Sequence, residues 1–425
     1  MSASFQKSNA SLHSIYEKVQ HLLVRIKEKM AQKTQYPFPK MDLSSSNEGI
    51  ANRLALINAT RGSSTKFLTG QKKIDDWSVL EGNIENFIGM AQVPIGLIGP
   101  LKVLGSVADG DYYAPLATSE GALVASYHRG AKACYMAGGI TSVCLTEGVQ
   151  RSPVFKFEHL GDLGTFLMWV LQQMDKFKEI TSENSRFAKL NDVKTNIEGN
   201  HISLTFDFKT GDASGQNMVT ICTNAICQYI LKNTPVQPKL WFLESNYSGD
   251  KKATALSFSN VRGKKITSEV VLPRNIVTDV LKTTPELITE YWRSSTIGII
   301  QSGAIGAQGH YANGLTALFI ATGQDAACVA EAATGITRME ITAEGDLYAS
   351  VTLPNLIVGT VGGGTSLPTQ RECLEIMDCY GEGKSQKFAE ICGAVVLCGE
   401  LSIAAALSAG HFSMAHQKFG RKKGS

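Results

Sequence analysis

Lys251 and Lys252 are the residues of this chain best suited to hold negative charge at a reacting centre. They follow Asp250 inside a polar stretch, 244–252, that separates an apolar run from a strand-like segment. Two adjacent ammonium groups repel each other, so an ordinary solvated loop is the alternative interpretation. A lysine held near carboxylates can instead stabilise an oxyanion that forms during a reaction.

Glu120, Asp325 and His416 have side chains that could transfer protons beside such a lysine. At an effective dielectric of about 20, a unit-charge contact near 4 Å is worth about 4 kcal/mol, so a Glu–Lys–Asp cluster would titrate as one coupled system. Glu120 is predicted to lie at the start of a helix, where the helix dipole and a nearby lysine both favour the ionised form of its carboxyl group. Burial and a second carboxylate must outweigh both effects if Glu120 is to hold a proton. A capping role for Glu120 and an ordinary helix or loop position for Asp325 are the structural alternatives.

The composition is that of an ordinary globular protein. The 425 residues allow one to three domains, and the 43% of hydrophobic residues argue against disorder. A net charge of only +3 gives no electrostatic reason to expect a nucleic-acid partner. Nine cysteines without a Cys-x-x-Cys pair indicate free, buried thiols in a reducing compartment, and hence a cytoplasmic protein.

The sequence favours neither a metal site nor a membrane span. His411 and His416 are five residues apart, about 140° around a helix, so they cannot easily bind one metal ion. No other His, Cys or carboxylate cluster has ligand spacing. The longest apolar segments, 314–323 and 395–410, are too short or too interrupted to span a bilayer.

Helical patterns dominate the beginning of the chain. Apolar residues at helical spacing over 15–30 predict a helix, and roughly the first 85 residues are predicted to form a small helical region. Thr118 and Ser119 are both competent helix caps, which predicts a helix from there to about Ala137.

The clearest architectural pattern lies between residues 152 and 243. Strand, helix, two strands, helix and strand follow one another, with one helix predicted over 163–177 and a half-buried strand over 202–208. This β-α-β-β-α-β order is the split arrangement of ferredoxin-like modules, inserted within a larger domain. The start of its second helix, at 211–217, offers N–H groups and a positive dipole end to a pyrophosphate, and a simple cap is the alternative.

Five short motifs together resemble the catalytic portion of 3-hydroxy-3-methylglutaryl-coenzyme A (HMG-CoA) reductase. They are Ala-Thr-Ser-Glu120-Gly, the stretch 244–252, Gly-Gln-Asp325-Ala-Ala, Gly-Thr-Val-Gly-Gly-Gly-Thr ending at Thr365, and Ser-Ala-Gly-His411 followed by His416. The resemblance extends from about Glu85 to His416. It implies an α+β fold with a large mixed domain around a central helix, an inserted ferredoxin-like cofactor domain and a small helical N-terminal region.

The resemblance also implies domain boundaries and a reaction. The boundaries are 1–86 for the helical N-terminal region, 87–151 and 243–425 for the large catalytic domain, and 152–242 for the small NADPH-binding domain. The implied reaction reduces HMG-CoA to mevalonate and CoA with two hydrides from NADPH, in the mevalonate pathway of isoprenoid biosynthesis.

The resemblance assigns roles to individual side chains. The implied catalytic residues are Glu120, Lys251, Asp325 and His416. Lys251 would stabilise the oxyanion, His416 would protonate the departing thiolate, and a carboxylic acid would deliver a proton to the aldehyde oxygen. The residues assigned to NADPH are Ser185, Arg186, Asp212, Ala213, Ser214, Gly215, Asn217, Gly362, Gly363 and Gly364. The residues assigned to the substrate are Arg151, Asp250, Lys252, His310 and Asn313, with Ser126 and Arg129 on CoA.

Two departures from the family pattern affect these assignments. Ser214 and Gln216 replace two methionines of the cofactor motif, which alters its fine contacts. Glu244 stands where members often have serine, and its charge would repel the substrate carboxylate unless Arg151 or Lys252 holds it. A surface arginine for Arg186 and a plain turn for the three glycines are the structural alternatives.

The family also implies partners. A homodimer or higher homo-oligomer is expected, with the active site across the subunit interface and with neither nucleic acid nor membrane as partner. Eukaryotic members carry an amino-terminal membrane region, so its absence here implies a soluble bacterial-type protein or a piece of a longer one. An NADH-linked enzyme that degrades mevalonate and a non-catalytic CoA-binding homologue are the alternatives.

Overall fold

The computed structural model describes residues 13–20, 22–24 and 35–410. The strands are β1 (Ile95–Gly105), β2 (Asp109–Ala117), β3 (Ile140–Arg151), β4 (Val154–Lys156), β5 (Lys189–Glu198), β6 (His201–Lys209), β7 (Leu240–Phe242), β8 (Gly263–Leu272), β9 (Ile336–Ile341) and β10 (Leu347–Leu356). The longer helices are α1 (Asn47–Arg61), α2 (Leu123–Met136), α3 (Leu160–Leu171), α4 (Met174–Asn184), α5 (Gln216–Asn233), α6 (Pro285–Ser302), α7 (Tyr311–Thr322), α8 (Pro368–Ile376) and α9 (Ser385–Ser408).

The described strands join in one sheet in the order β7-β4-β6-β3-β8-β10-β9. β1 also pairs with β2 and β3, and β5 pairs with β6. β3 connects two parts of the sheet, because its residues Thr141–Gly148 pair with β8 and its last three with β6. Except for the β1–β3 pair, the pairings between these strands are antiparallel. The chain therefore has a mixed α+β fold, as predicted.

The segment from β4 to β7 has its own hydrophobic core but one more helix than predicted. The single helix expected over 163–177 is wrong, since α3 ends at Leu171 and α4 begins at Met174. The N–H groups of Gln172 and Gln173 bond to carbonyls three residues earlier, which tightens the last turn and ends α3. Apolar spacing continues across the break because both helices enter the same core.

β6 is buried on both faces, so the half-buried strand predicted over 202–208 is wrong. Its apolar side chains enter the core, as the alternation indicates. Its polar side chains are also covered, because Thr205 bonds to the Ser152 hydroxyl and Asp207 accepts from the Asn191 amide at 3.1 Å. The alternation identified the two faces but not the neighbours that cover the polar one.

The helix predicted from Thr118 or Ser119 starts later than expected. The Thr118 hydroxyl accepts a hydrogen bond from the Glu120 N–H at 3.0 Å, which closes a local turn. α2 begins only at Leu123, after Ala122 at φ 71°. Glu120 therefore lies in an exposed turn ahead of the helix, outside its first turn.

α9 runs through the larger of the two main cores. By length and composition it is the one helix of the described residues that could cross a membrane, but 83% of its most apolar window is buried inside the protein. α2 packs closely on it, because a Cβ atom at Gly130 would overlap the Cys398 carbonyl. α9 is thus a central core helix of the fold.

Three carboxylates hold α9 in place. Glu390 accepts the N–H groups of Val107 and Ala108 in the β1–β2 turn at 3.0 and 2.8 Å. Glu400 is fully buried and accepts several donors from neighbouring segments. Asp212 accepts the N–H groups of Gly383 and Ser385 at 2.7 and 3.0 Å, so a residue from the β6–α5 loop caps the start of α9.

The N-terminal part is less helical than predicted. Residues 13–20 and 22–24 are helical, whereas 25–34 lie outside the described residues. Between 35 and 86, α1 and the short turn Trp77–Leu80 are the helices, and the rest is irregular. The buried Glu372 of α8 fixes this segment to the body of the protein by accepting N–H groups from residues 67 and 68.

Candidate active site

Lys251 and Asp325 form an ion pair, with Nζ 2.7 Å from Oδ2. Lys251 lies in the loop after β7 and has a positive φ of 55°. Asp325 follows α7 and caps the short helix Ala326–Cys328, because its Oδ1 accepts the Ala327 N–H at 3.0 Å. The two residues come from distant parts of the sequence and meet at this one point.

Both members of the pair are held in their charged forms. Partial burial acts to raise the pKa of Asp325, but hydrogen bonds, led by that from Lys251, outweigh it and lower the pKa. The same bond to Asp325 raises the pKa of Lys251. The pair is lost when pH falls through the lowered pKa of Asp325 or rises through the raised pKa of Lys251, so it persists at neutral pH. A fixed ammonium group of this kind can stabilise an oxyanion.

Glu120 lies beside the opposite end of α7. Asn313, in the first turn of α7, donates its Nδ2 hydrogen to Glu120 Oε1 at 3.4 Å. The helix from Asn313 to Thr322, just before Asp325, spans about 14 Å. Within the described residues of one chain, Glu120 forms neither a hydrogen bond nor an ion pair with Lys251 or Asp325. One chain therefore brings two of the three charged groups together.

Arg151 lies next to the loop that carries Lys251. Its Nη1 atom is 3.1 Å from Glu244 Oε2 and 3.0 Å from Asp250 Oδ2. Glu244 also accepts from the N–H of Asn246 and the hydroxyl of Ser248, which folds the loop around its carboxylate. The buried Arg151 Nε atom has no hydrogen-bond partner in the described part of the chain. Arg151 thus shares one positive charge between the carboxylates of Glu244 and Asp250.

Lys252 is exposed, and its Nζ atom contacts its own loop. It donates to the Asp250 carbonyl at 2.9 Å. It makes no ion pair among the described residues, so its charge is open to a ligand.

Arg262 and Glu331 form a buried ion pair behind Lys251 that the sequence analysis missed. Arg262 Nη1 is 3.2 and 3.0 Å from the two carboxylate oxygens of Glu331, and Glu331 Oε1 accepts the Lys251 N–H at 3.2 Å. The side chains are 1% and 0% exposed. The one available signal was a lone acid in the apolar run Cys-Val-Ala-Glu-Ala-Ala, because a buried acid needs a cationic partner.

The predicted cofactor motif at 211–217 lies where the small core meets the large one. α5 begins at Gln216, and Gly215 before it has φ 84° and gives no side-chain cap, so the first N–H groups of the helix are open to an anion. The backbone of Ala213 and Ser214 packs against Gly359, where a Cβ atom would overlap it. Asn217 is exposed in the first turn of α5.

The carboxylate of Asp212 is committed to capping α9. Burial acts to raise its pKa, yet the bonds from Gly383 and Ser385 outweigh this effect, and the pKa is lowered. Asp212 therefore attaches the segment 211–217 to the start of α9 in the large core.

Ser185 and Arg186 follow α4. The Ser185 hydroxyl accepts the N–H groups of Phe187 and Ala188 at 3.2 and 3.0 Å, which shapes the turn. Arg186 is exposed, with its guanidinium 5.7 Å from the Phe187 ring centroid. An exposed guanidinium beside a hydroxyl is suited to a phosphate.

The glycine loop lies against the segment that carries Asp325. Gly362 and Gly363 have φ values of 74° and 53°, which favour glycine. Gly364 is in such close contact with Gly323 that a Cβ atom on either residue would overlap the other backbone. The structure therefore places this glycine loop, which was assigned to NADPH, next to the Lys251–Asp325 pair.

His310 precedes α7 and bonds to a buried acid. Its Nδ1 atom is 3.1 Å from Glu400 Oε1, and its ring stacks on Tyr127 with centroids 5.5 Å apart. Burial acts to raise the pKa of Glu400, but the bonds and charge of His310, with the bonds from Gly309 and Thr337, outweigh it and lower the pKa. His310 is thereby oriented at the end of α7 where Glu120 lies.

Ser126 and Arg129 both contact Ser402 of α9. The Ser126 hydroxyl is 2.9 Å from the Ser402 hydroxyl, and Arg129 bonds to that hydroxyl and to the Ser402 carbonyl at 3.0 and 2.7 Å. Burial lowers the pKa of Arg129. These contacts attach α2 to α9, and a role of either residue with CoA stays a prediction.

The remaining predicted catalytic residue, His416, lies outside the described residues, as does His411. Among residues 13–20, 22–24 and 35–410, no group of three His, Cys, Asp or Glu side chains is placed to hold a metal ion. All nine cysteines lie in the described part, where they are free and buried, which confirms the prediction of unpaired thiols.

The fold is shared with solved HMG-CoA reductases. One is the class II 3-hydroxy-3-methylglutaryl-CoA reductase from Streptococcus pneumoniae, whose structure was solved bound to NADPH in open conformations. It superposes with a TM-score of 0.69 over 85% of this chain and 97% of that one, at 18% sequence identity. At this identity the similarity establishes the architecture.

Sequence comparison establishes the family. Residues 49–421 match the model of hydroxymethylglutaryl-coenzyme A reductase. The 3-hydroxy-3-methylglutaryl-coenzyme A reductase of Pyrococcus horikoshii is 44% identical over 83% of this chain and 87% of its own length. That of Methanocaldococcus jannaschii is 44% identical over 82% of this chain and 87% of its own length. The chain therefore belongs to the hydroxymethylglutaryl-coenzyme A reductase family.

Proposed function

We propose that this chain reduces HMG-CoA to mevalonate and CoA with two hydrides from NADPH. The observation that carries the proposal is the Lys251–Asp325 ion pair, in which a fixed ammonium group lies next to the glycine loop. Relatives at 44% identity carry the name of this activity. The two hydrides would come from NADPH, and the residues of this chain would bind and orient the substrate and move protons.

Lys251 stabilises the negative charge that develops on the thioester oxygen, and Asp325 keeps the lysine protonated. His416 protonates the departing CoA thiolate, since imidazole with a pKa near 6.5 readily donates to a thiolate with a pKa near 8.5. Glu120 delivers a proton to the aldehyde oxygen in the second reduction. Each of these side chains therefore either stabilises one charge or transfers one proton.

Arg151 and Lys252 bind the carboxylate of the substrate in this proposal. Arg151 already pairs with Glu244, which reduces the repulsion expected from an acid at that position. The exposed ammonium of Lys252 supplies donors to an anionic ligand. His310, Asn313 and Asp250 complete the binding site.

In this proposal NADPH binds to the segment from β4 to β7. The phosphate that distinguishes NADPH from NADH contacts Ser185 and Arg186. The pairing order β7-β4-β6-β5 supports a ferredoxin-like cofactor domain at 152–242, inserted in a catalytic domain of 87–151 and 243–425 with 1–86 before it. The open N–H groups at the start of α5 suit the pyrophosphate. The structurally similar Streptococcus pneumoniae protein was solved with NADPH.

The active site is completed by a second copy of the chain. Glu120 and the Lys251–Asp325 pair lie near opposite ends of α7 in one copy, so a neighbour has to supply the missing acid. Exposed apolar side chains along 84–93, among them Ile88, offer a surface for such a contact. The buried free thiols support a cytoplasmic location.

A stoichiometric assay tests the proposal. Purified chain with HMG-CoA and NADPH should oxidise two NADPH for each CoA released, and NADH should support far slower turnover. Faster oxidation of mevalonate with NAD would favour the degradative alternative, and binding of CoA without turnover would favour the non-catalytic one.

A further inference from the structure

Lys251 is held from behind by a buried group. Its backbone has φ 55°, a left-handed conformation that a lysine adopts only when surrounding contacts require it. The contact that fixes its N–H is Glu331 Oε1, at 3.2 Å. Its side chain is 44% exposed and its ammonium group bonds to Asp325, so the position of that group depends strongly on the backbone beneath it.

A single guanidinium connects the loop that carries Lys251 to Glu331 and to α5. Arg262 is 1% exposed and reaches both oxygens of Glu331 through Nη1. Through Nη2 it donates to Asp250 Oδ1 and Gln216 Oε1, both at 2.7 Å. Asp250 precedes Lys251 in the loop, and Gln216 is the first residue of α5. Arg262 therefore serves as one anchor for both α5 and the loop that carries Lys251.

We infer that Arg262 and Glu331 are positioning residues, which hold Lys251 at the reacting centre and align it with the helix that begins at Gln216. This inference rests on the function proposed above. Neither residue touches the substrate, because both side chains are buried behind the loop. A misplacement of about 1 Å at a reacting group can slow a reaction on the order of a hundredfold, so such an anchor has a measurable effect.

The ionisation of Glu331 gives the anchor a pH dependence. The charged or titratable groups that face it are Arg262, Asp250 and Cys328, and the Lys251 N–H donates a hydrogen bond to it. Burial raises the pKa of Glu331 to about 7, against the effect of Arg262. Protonation weakens the contact between Arg262 Nη1 and the two carboxylate oxygens, so kcat should fall as pH drops through this value. An essential protonated histidine gives the opposite slope, which separates the two effects.

The variant E331Q tests the inference in the full chain. Glutamine can still accept the Lys251 N–H but loses the charge and one bond to Arg262, so kcat should fall about tenfold while KM for HMG-CoA changes less than about threefold. The ascending limb of kcat near pH 7 should disappear. Amide exchange should speed up in the peptide that spans 244–252 and stay constant in α2.

Two further variants complete the test. E390Q alters another buried carboxylate, which accepts N–H groups from the β1–β2 turn. It should lower the free energy of unfolding about as much as E331Q does, but keep the kcat and the pH profile of the wild type. R262K keeps the positive charge, but a lysine has one nitrogen and cannot replace both Nη1, which contacts Glu331, and Nη2, which contacts Asp250 and Gln216. Its kcat should also fall, so the inference can still be tested if E331Q does not fold.

The outcomes separate the two proposals. Wild-type kcat, pH profile and exchange in E331Q, or wild-type kcat in R262K, would overturn the inference, as would an equal loss of kcat in E390Q. An inactive wild-type chain would instead refute the proposed function, and the exchange measurement would still decide whether Glu331 holds the loop.

Discussion

The Nζ atom of Lys251 lies 2.7 Å from Oδ2 of Asp325, and these two side chains remain 44% and 40% exposed in a single chain. A pair this open in one copy is suited to completion by another surface.

Replacement of Lys251 by alanine should remove most of the activity. Loss of one preorganised oxyanion donor lowers kcat by about 10²–10³-fold, and KM for HMG-CoA should change much less. Steady-state oxidation of NADPH measures both constants. Lys178→Ala removes an exposed lysine of α4 and serves as the control, and full activity in Lys251→Ala would refute the oxyanion role.

Two inactive variants should restore activity when combined. If Glu120 acts on the Lys251–Asp325 pair of the neighbouring copy, a mixed dimer of Glu120→Gln and Lys251→Ala chains contains one intact site. Random mixing should then recover about a quarter of the wild-type rate. Co-expression with two affinity tags measures this recovery. No recovery in isolated mixed dimers would show that the site is built within one chain.

The stability of the protein should fall between acid and neutral pH because of Glu331. Its pKa is raised from 4.5 to about 7, chiefly by burial, so the folded state holds a proton that the unfolded chain has released. The stabilisation is complete below about pH 4.5 and is lost as pH rises through about 7, which amounts to at most about 3 kcal/mol. Urea unfolding across this range should show the decline in the wild type and a flatter curve in Glu331→Gln. Identical curves would contradict the buried ionisation.

Glu400→Ala should destabilise the fold strongly. The carboxylate accepts bonds from Gly309, His310 and Thr337, and its removal leaves several buried donors unpaired, which should lower the free energy of unfolding by about 3–5 kcal/mol. Chemical denaturation measures the difference. Glu286→Ala, which breaks an exposed pair with Arg274, should leave the midpoint close to that of the wild type.

Arg186→Ala should weaken NADPH binding selectively. The loss of one charge-assisted contact to a phosphate should raise KM for NADPH by about tenfold or more, and KM for NADH should stay nearly constant because NADH lacks that phosphate. Equal effects on both nucleotides would place the extra phosphate elsewhere.

Local patterns predicted much of the fold but not its breaks. The apolar spacing from 163 to 177 is continuous, and the chain nevertheless leaves the helix at Gln172, since two helices can share one core without sharing an axis. The hydroxyl of Thr118 is equally able to cap a helix or to close a turn, and only the surrounding structure selects the turn.

The site was predictable where residue type determines chemistry and less so where contacts are long-range. Lys251 and Asp325 were paired on type and family resemblance, and the structure joins them. Arg262 was overlooked because an arginine beside two lysines resembles a solvated surface, whereas folding buries it against Glu331. Asp212 was assigned to the cofactor, which stays a prediction, and its cap of a distant helix was not foreseen.

That cap makes the two cores interdependent. A chimera can replace the region between β3 and the loop that carries Lys251 with the same region of a relative. This exchange also removes Asp212, the acid that caps the start of α9. Such a chimera must therefore keep an aspartate at position 212, or the N–H groups of Gly383 and Ser385 lose their acceptor at the start of α9.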